Sequence, residues 1–164
     1  MSEPSLILRC AARSFALPLQ VVVEVTRMVA PALPLPRAPR YCLGAVDYHG
    51  QLVPIIDLGL RLGQGGPRSV VDFLDGRLVF VRSGGGLCGL AVDEVPELSD
   101  RPVEPLATTE PSLVGLLLGI VRWREHEVAP LLHAAALLPV GAGVRLRQLL
   151  TEVVEAEAGV DAEL

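Results

Sequence analysis

"GAVDYHGQLVPIIDLGLRLG" (residues 44 to 63) reads as a strand, a turn at Tyr48-His49-Gly50, a second strand, and a short helix closed by Gly63. Apolar residues recur on both sides of a polar, glycine-bearing turn, which is the pattern of a β-hairpin. Asp57 follows "VPII" and precedes Leu58. From there a carboxylate accepts from the free N–H groups of a helix at 58 to 62.

The flanking segments repeat the motif. "SLILRCAARSFALPL" places two apolar runs around Ala11-Ala12-Arg13-Ser14, a hairpin with a four-residue connection. The run "VVVEVTRM" (21 to 28) holds one acid, Glu24, and gives way to "APALPLPRAP", where Pro31, Pro34, Pro36 and Pro39 rule out helix and central strand. That segment is expected to cross the molecule as an extended strap anchored by Leu33 and Leu35. "GQGGPRS" (63 to 69) reads as a loop. "RLVFVRSGGGLCGLAVDEV" gives a further hairpin around Ser83-Gly84-Gly85-Gly86, and "LVGLLLGIVRWREHEVAPLLH" another, with its turn at Arg124-Glu125-His126. Hairpins spaced about thirty residues apart favour small barrels over a sandwich of long strands. Alternation assigns Leu52, Val53, Ile55, Ile56, Val79, Val81, Leu90 and Val92 to the core. The tail changes period: Leu146, Leu149, Leu150 and Val153 form the stripe of an amphipathic helix, expected to dock on its own barrel and to stop at Gly159.

Composition narrows the function classes. With 164 residues the chain suits one domain or two small subdomains sharing a core. Arginine supplies all 14 cations, and the net charge is −5, so no basic stripe is present to neutralise phosphates, and nucleic-acid binding is not expected. The longest apolar stretch, Leu113 to Val121, falls far short of the roughly 20 residues that span a bilayer, and the N-terminus lacks a cationic signal-peptide start. The expectation is a cytoplasmic protein without direct membrane insertion. Cys10, Cys42 and Cys88 lie in apolar runs and suit buried, reduced thiols.

The chemical readings each meet an obstacle. An acid–base pair of Asp47 and Asp57 needs one pocket with separated pKa values, whereas Asp57 already has a capping task. "DLG" lacks the Ser or Thr that follows the catalytic Asp of aspartic proteases. His49, His126 and His133 stand apart, with no H-x-x-x-H, H-x-H or C-x-x-C spacing, so no metal is expected. "SGGGLCG" joins two strands, where a phosphate cradle would feed a helix. No Ser or Cys occupies a nucleophile elbow. Neither catalytic residues nor a cofactor site is expected, and the turns and barrel faces are left as the working parts. The rival class, a small β-barrel hydrolase or metal-binding enzyme, would need a concave pocket lined by paired polar groups.

Several strings together resemble the CheW family, the coupling proteins of bacterial chemosensory arrays. They are "LPRAPRYCLGAVDYHGQLVPIIDLGLRLG" (35 to 63), "GLAVDEV" (89 to 95), "GIVRWREHEVAPLLHAAALL" (119 to 138) and the Glu24-Val25 element. The resemblance covers about residues 5 to 138, with 139 to 164 as a C-terminal amphipathic helix and tail. It implies an all-β fold with short helices: two intertwined SH3-like five-stranded β-barrels. It further implies a non-enzymatic adaptor coupling chemoreceptors to a CheA-type histidine kinase, in a flagellar or a divergent non-flagellar array. The implied partners are the regulatory domain of the kinase and the chemoreceptor signalling tip, at membrane-associated arrays. Carried over by position, the partner-binding candidates are Val22, Glu24, Asp47, His49 and Gly50, walling a groove between the barrels. No receiver domain or kinase accompanies the module, so a single-module adaptor is the expectation.

The chain departs from the family pattern where that pattern is most chemical. Asp47 stands where the family usually has Asn, His49 where it has Arg, and His133 where it has Asp. Arg is a permanent cation with five donors in a rigid fork, whereas neutral His offers one donor. The turn is thus expected to bind a conventional receptor tip weakly.

Overall fold

The computed structural model describes residues 3–29, 33–66, 70–106 and 115–162. The chain opens with β1 (Ser5–Cys10) and β2 (Arg13–Pro18), paired antiparallel from Ser5↔Pro18 to Cys10↔Arg13. Their connection is Ala11-Ala12, two residues rather than the four expected. Both take positive φ, 52° and 62°, the geometry that matches the right-handed twist of the flanking strands. Alanine is an unusual occupant of that conformation, which is why the sequence concealed the tighter turn.

After a 3₁₀ turn at Leu19–Val21 come β3 (Val22–Arg27), β4 (Cys42–Tyr48), β5 (Gln51–Asp57), α1 (Leu58–Arg61), a second 3₁₀ turn at Val70–Phe73, β6 (Arg77–Ser83) and β7 (Gly86–Val92). Then follow β8 (Glu94–Ser99), the two-residue β9 (Val103–Glu104), β10 (Leu117–Arg124), β11 (Glu127–Leu132), α2 (Ala134–Leu137) and α3 (Val140–Ala162). Between β3 and β4 the proline strap holds at both expected anchors: Leu33 exchanges backbone hydrogen bonds with Ala45, and Leu35 is buried.

Two sheets result, ordered β8-β1-β2-β11-β10-β9 and β3-β6-β7-β5-β4. The chain starts in the first sheet, builds all of the second, and returns, which intertwines them. Each sheet joins two hairpins by one parallel contact, Leu131↔Ala16 in the first and Ile55↔Gly89 through Asp57↔Ala91 in the second. The equivalence extends to the helices, since α1 follows β5 as α2 follows β11. The molecule is thus a pair of related SH3-like barrels, with the short β9 added to the edge of one.

Period-2 alternation explains why the strands read as nearly continuous apolar runs: both faces are buried. Ile7, Ala16, Val121, Trp123, Ala129 and Leu131 fill one barrel. Val46, Val53, Ile55, Phe73, Leu78, Phe80 and Ala91 fill the other. Their neighbours on the same strands, among them Leu8, Leu17, Ile56, Val79, Val81 and Leu90, meet in a core shared by both sheets. Seven of the eight expected core residues have no accessible surface, and Leu52 is half-buried against the shared core. Cys10 and Cys88 are buried and outside any disulfide as expected, while Cys42 is half-buried.

α3 docks on its own chain through Leu146, Leu149 and Leu150, with Val153 packed at the margin. The helix runs through Gly159 to Ala162 instead of stopping there. Glycine lowers helix propensity by about 1 kcal/mol, which alone does not end a helix. The "SGGG" turn is where α3 and α2 rest: Gly85 N donates to Leu138 O at 2.6 Å and Arg147 Nη1 to Gly85 O at 2.8 Å. A Cβ on Gly85 would sit 2.9 Å from the Gly143 Cα, so both glycines permit this close approach.

Candidate functional site

The β4–β5 hairpin pairs Asp47 with Leu52 and Tyr48 with Gln51, so its turn is His49-Gly50. Both turn residues have positive φ, 50° and 82°, again the twist-matching two-residue turn. Gly50 suits this conformation, and Asp47 supports it: its Oδ1 accepts from Gly50 N at 2.8 Å. Asp47 therefore spends one oxygen holding the turn that displays His49.

Glu24 reaches this turn from β3. In strand order β3 and β4 are opposite ends of their sheet, and the curl of the sheet brings them together. The Tyr48 hydroxyl donates to Glu24 Oε2, and His49 Nε2 lies 3.9 Å from the same oxygen. The Tyr48 ring stacks on Phe80 of β6 at 4.1 Å and 25°, and His49 meets its edge at 4.4 Å. The Tyr48 hydroxyl is held above its ordinary pKa, first by its hydrogen bond to Glu24, then by desolvation and by the Glu24 charge. The carboxylate facing the imidazole is thus Glu24, while Asp47 is turned to the backbone.

Of the five residues singled out by sequence, Glu24, Asp47, His49 and Gly50 are brought together, all of them exposed. Val22 is not. A bulge between Val22 and Glu24 sets two residues of β3 against one of β6, and Val22 packs half-buried against the shared core. Tyr48 is the member that sequence reasoning missed. Its only signal was an amphipathic aromatic flanking a two-residue turn, because its partners Glu24 and Phe80 are remote in sequence.

The corner at the far end of β5 is capped as expected. Asp57, 1% exposed, accepts from Leu60 N at 3.2 Å through Oδ1. Beyond it lies a cleft of about 860 Å³ lined by residues of β2, β10, β11 and the segment after β5, and it contains none of the five candidates. Among the described residues no group of three or more His, Cys, Asp or Glu side chains converges. No described helix is long and apolar enough to cross a membrane. What the turn offers chemically is a carboxylate, a phenol and an imidazole on a barrel edge, suited to recognition through polar contacts.

Known proteins share this architecture. The chain is similar to the "Chemotaxis protein CheW" of Rhizobium meliloti (strain 1021), 31% identical over 100 residues that make up 59% of this chain and 62% of that protein. The match thus spans less than two thirds of that relative. The solved structure of the scaffolding protein TtCheW from Thermoanaerobacter tengcongensis superposes with a TM-score of 0.73 at 23% identity, covering 87% of this chain and 96% of that one, a likeness of fold. The sequence matches the family described as CheW-like domain over residues 4–141, most of its length. This chain belongs to the CheW-like domain family.

Proposed function

We propose that this protein is a non-enzymatic, cytoplasmic adaptor that couples chemoreceptors to a CheA-type histidine kinase in a chemosensory array. The observation that carries the reading is the exposed Glu24–Tyr48–His49 cluster, in a chain matched to the family over residues 4–141. The cluster falls on the two elements, Glu24-Val25 and the turn of the 35 to 63 stretch, that the family resemblance ties to receptor contact. Glu24, Asp47, His49 and Gly50 form the receptor-facing surface, with Val22 at its margin, and barrel edges serve the kinase regulatory domain.

His49 makes this surface less cationic than the family pattern. A receptor tip that meets the usual Arg with an acid or carbonyl loses a charge-assisted hydrogen bond here, worth roughly 1.5 to 3 kcal/mol, or about ten- to hundredfold in affinity. The test is a titration of wild type and Asp47→Asn/His49→Arg against a conventional receptor signalling tip, with a kinase regulatory domain titrated in parallel. The expected result is weak tip binding by wild type, strengthened by the double change, with kinase binding unaltered. Tight wild-type binding left unimproved refutes the role given to the turn, and binding to neither partner refutes the adaptor.

A further inference from the structure

The cleft of about 860 Å³ at the far end of β5 is separated from the Glu24–His49 cluster by the length of that strand, about 20 Å. It opens where one sheet fails to stay zipped. β11 meets β2 in parallel at Leu131 and Ala16. The preceding residue, Pro130, has no N–H to offer, so the ladder does not continue toward Arg13. Beside that unladdered stretch, Arg13, Ser14 and Phe15 of β2 and Val128 and Pro130 of β11 line the cleft. Leu62, Leu116 and Leu117 add apolar lining, and Arg61 and Gln64 complete the polar side.

The charge of the cleft runs against that of the whole chain, which is −5. Ion pairs among the described residues engage Arg9, Arg37, Arg122 and Arg124 but neither Arg13 nor Arg61. Arg61 donates through Nε and Nη2 to the Leu137 and Ala136 carbonyls, each at 2.9 Å, which fixes its guanidinium at the cleft rather than neutralising it. Arg13 is exposed at the mouth. An apolar slot beside a strand edge, flanked by two uncompensated cations, has one complementary occupant by shape and charge.

We propose that this cleft docks an extended peptide segment of a partner protein in which acidic residues alternate with apolar ones. In an extended chain successive side chains point to opposite sides. Apolar residues then face Phe15, Leu62, Leu117 and Val128 while the acids between them face Arg13 and Arg61, and the backbone lies along the free end of β2. The site is independent of the turn proposed to face receptors, so one module holds two segments at once.

The test is selection of ten-residue peptides from a displayed random library on the full-length protein, followed by titration of the enriched peptides. The expected consensus carries Asp or Glu at alternate positions with apolar residues between. Its affinity should fall at least about tenfold in Arg13→Glu, the size of a lost charge-assisted contact. It should also fall in Val128→Asp, and stay unchanged in His49→Ala. Arg13 and Val128 are exposed, so both variants should keep the wild-type circular dichroism spectrum and melting temperature. No acidic consensus, or a consensus indifferent to both cleft variants, or one lost in His49→Ala instead, overturns the proposal.

Discussion

Replacing Asp57 with alanine removes the oxygen that accepts from Leu60 N at 3.2 Å and leaves an amide at the start of α1 without that acceptor. Loss of an N-cap costs about 0.5 to 2 kcal/mol, with ~1 typical. Asp57 is 1% exposed, so water does not readily replace it, and the expected loss lies in the upper half of that range, about 1 to 2 kcal/mol. For a chain of this size each kcal/mol shifts the melting temperature by about 2 to 4 °C. Urea unfolding followed by circular dichroism measures the change directly, with an unchanged denaturant slope showing that only stability moved. Asp57→Asn keeps an acceptor and should lose less than half as much. Because Asp57 stands at the opposite end of β5 from the His49-Gly50 turn, affinity for a partner bound at that turn should stay nearly constant in both variants. Wild-type stability in Asp57→Ala, or unchanged stability with lost binding, would refute the capping role and make Asp57 a contact residue.

Gly143→Val should destabilise by about 1 to 3 kcal/mol, the range for overpacking, because any Cβ there runs into the Gly85 backbone; a wild-type urea midpoint would contradict the docking of α3 on the "SGGG" turn. His133 has N-cap backbone geometry at α2 but makes no side-chain cap bond. His133→Asp should therefore gain roughly 0.5 to 1 kcal/mol by the mechanism Asp57 uses at α1, read as a higher urea midpoint, and an unchanged or lower midpoint would contradict it. Burial pushes the Cys88 thiol up to about 12 and raises that of Cys42. The stability this gives is fully present below pH 9.0, the ordinary thiol value, and is lost as pH rises through about 12. The Cys88 thiol, with no accessible surface, should react with a disulfide reagent at pH 8 only as the chain opens, and its prompt labelling in native buffer would contradict the packing.

The fold was legible where a signal is local. The β4–β5 unit shows its turn, its alternation and its cap within twenty residues, and all three stand in the structure. Leu146, Leu149 and Leu150 carry the helical stripe in their spacing. The Ala11-Ala12 turn was not legible as a two-residue turn, since neither alanine advertises a positive φ. The helix end was misread because Gly159 was given a C-cap role that only a left-handed backbone would justify. At the candidate site the turn could be read, but its partnership with β3 could not. Glu24 and Tyr48 are 24 residues apart and meet only because the sheet curls on itself. The bulge that separates Val22 from Glu24 leaves no trace in composition, so carrying the candidates over by position from the family resemblance set both on one surface.

The same atoms that join the two ends of the second sheet make up the proposed recognition surface. Tyr48 anchors one face of its ring on Phe80 and delivers its hydroxyl to Glu24 Oε2, which His49 also approaches. A family-type Arg at position 49 would be a permanent cation able to hold Glu24 with some donors while presenting the rest outward. His49 has two ring nitrogens, one of them already near Glu24, and so projects far less hydrogen-bonding capacity. With Asp47 Oδ1 committed to the Gly50 amide, the outward surface carries two carboxylates against one imidazole. Such a surface favours partners that bring donors, such as an Arg, a Lys or free backbone N–H groups, over partners that bring an acid. The two substitutions at the turn therefore act in the same direction, and reverting both, rather than either alone, is the change that restores the family's charge pattern there.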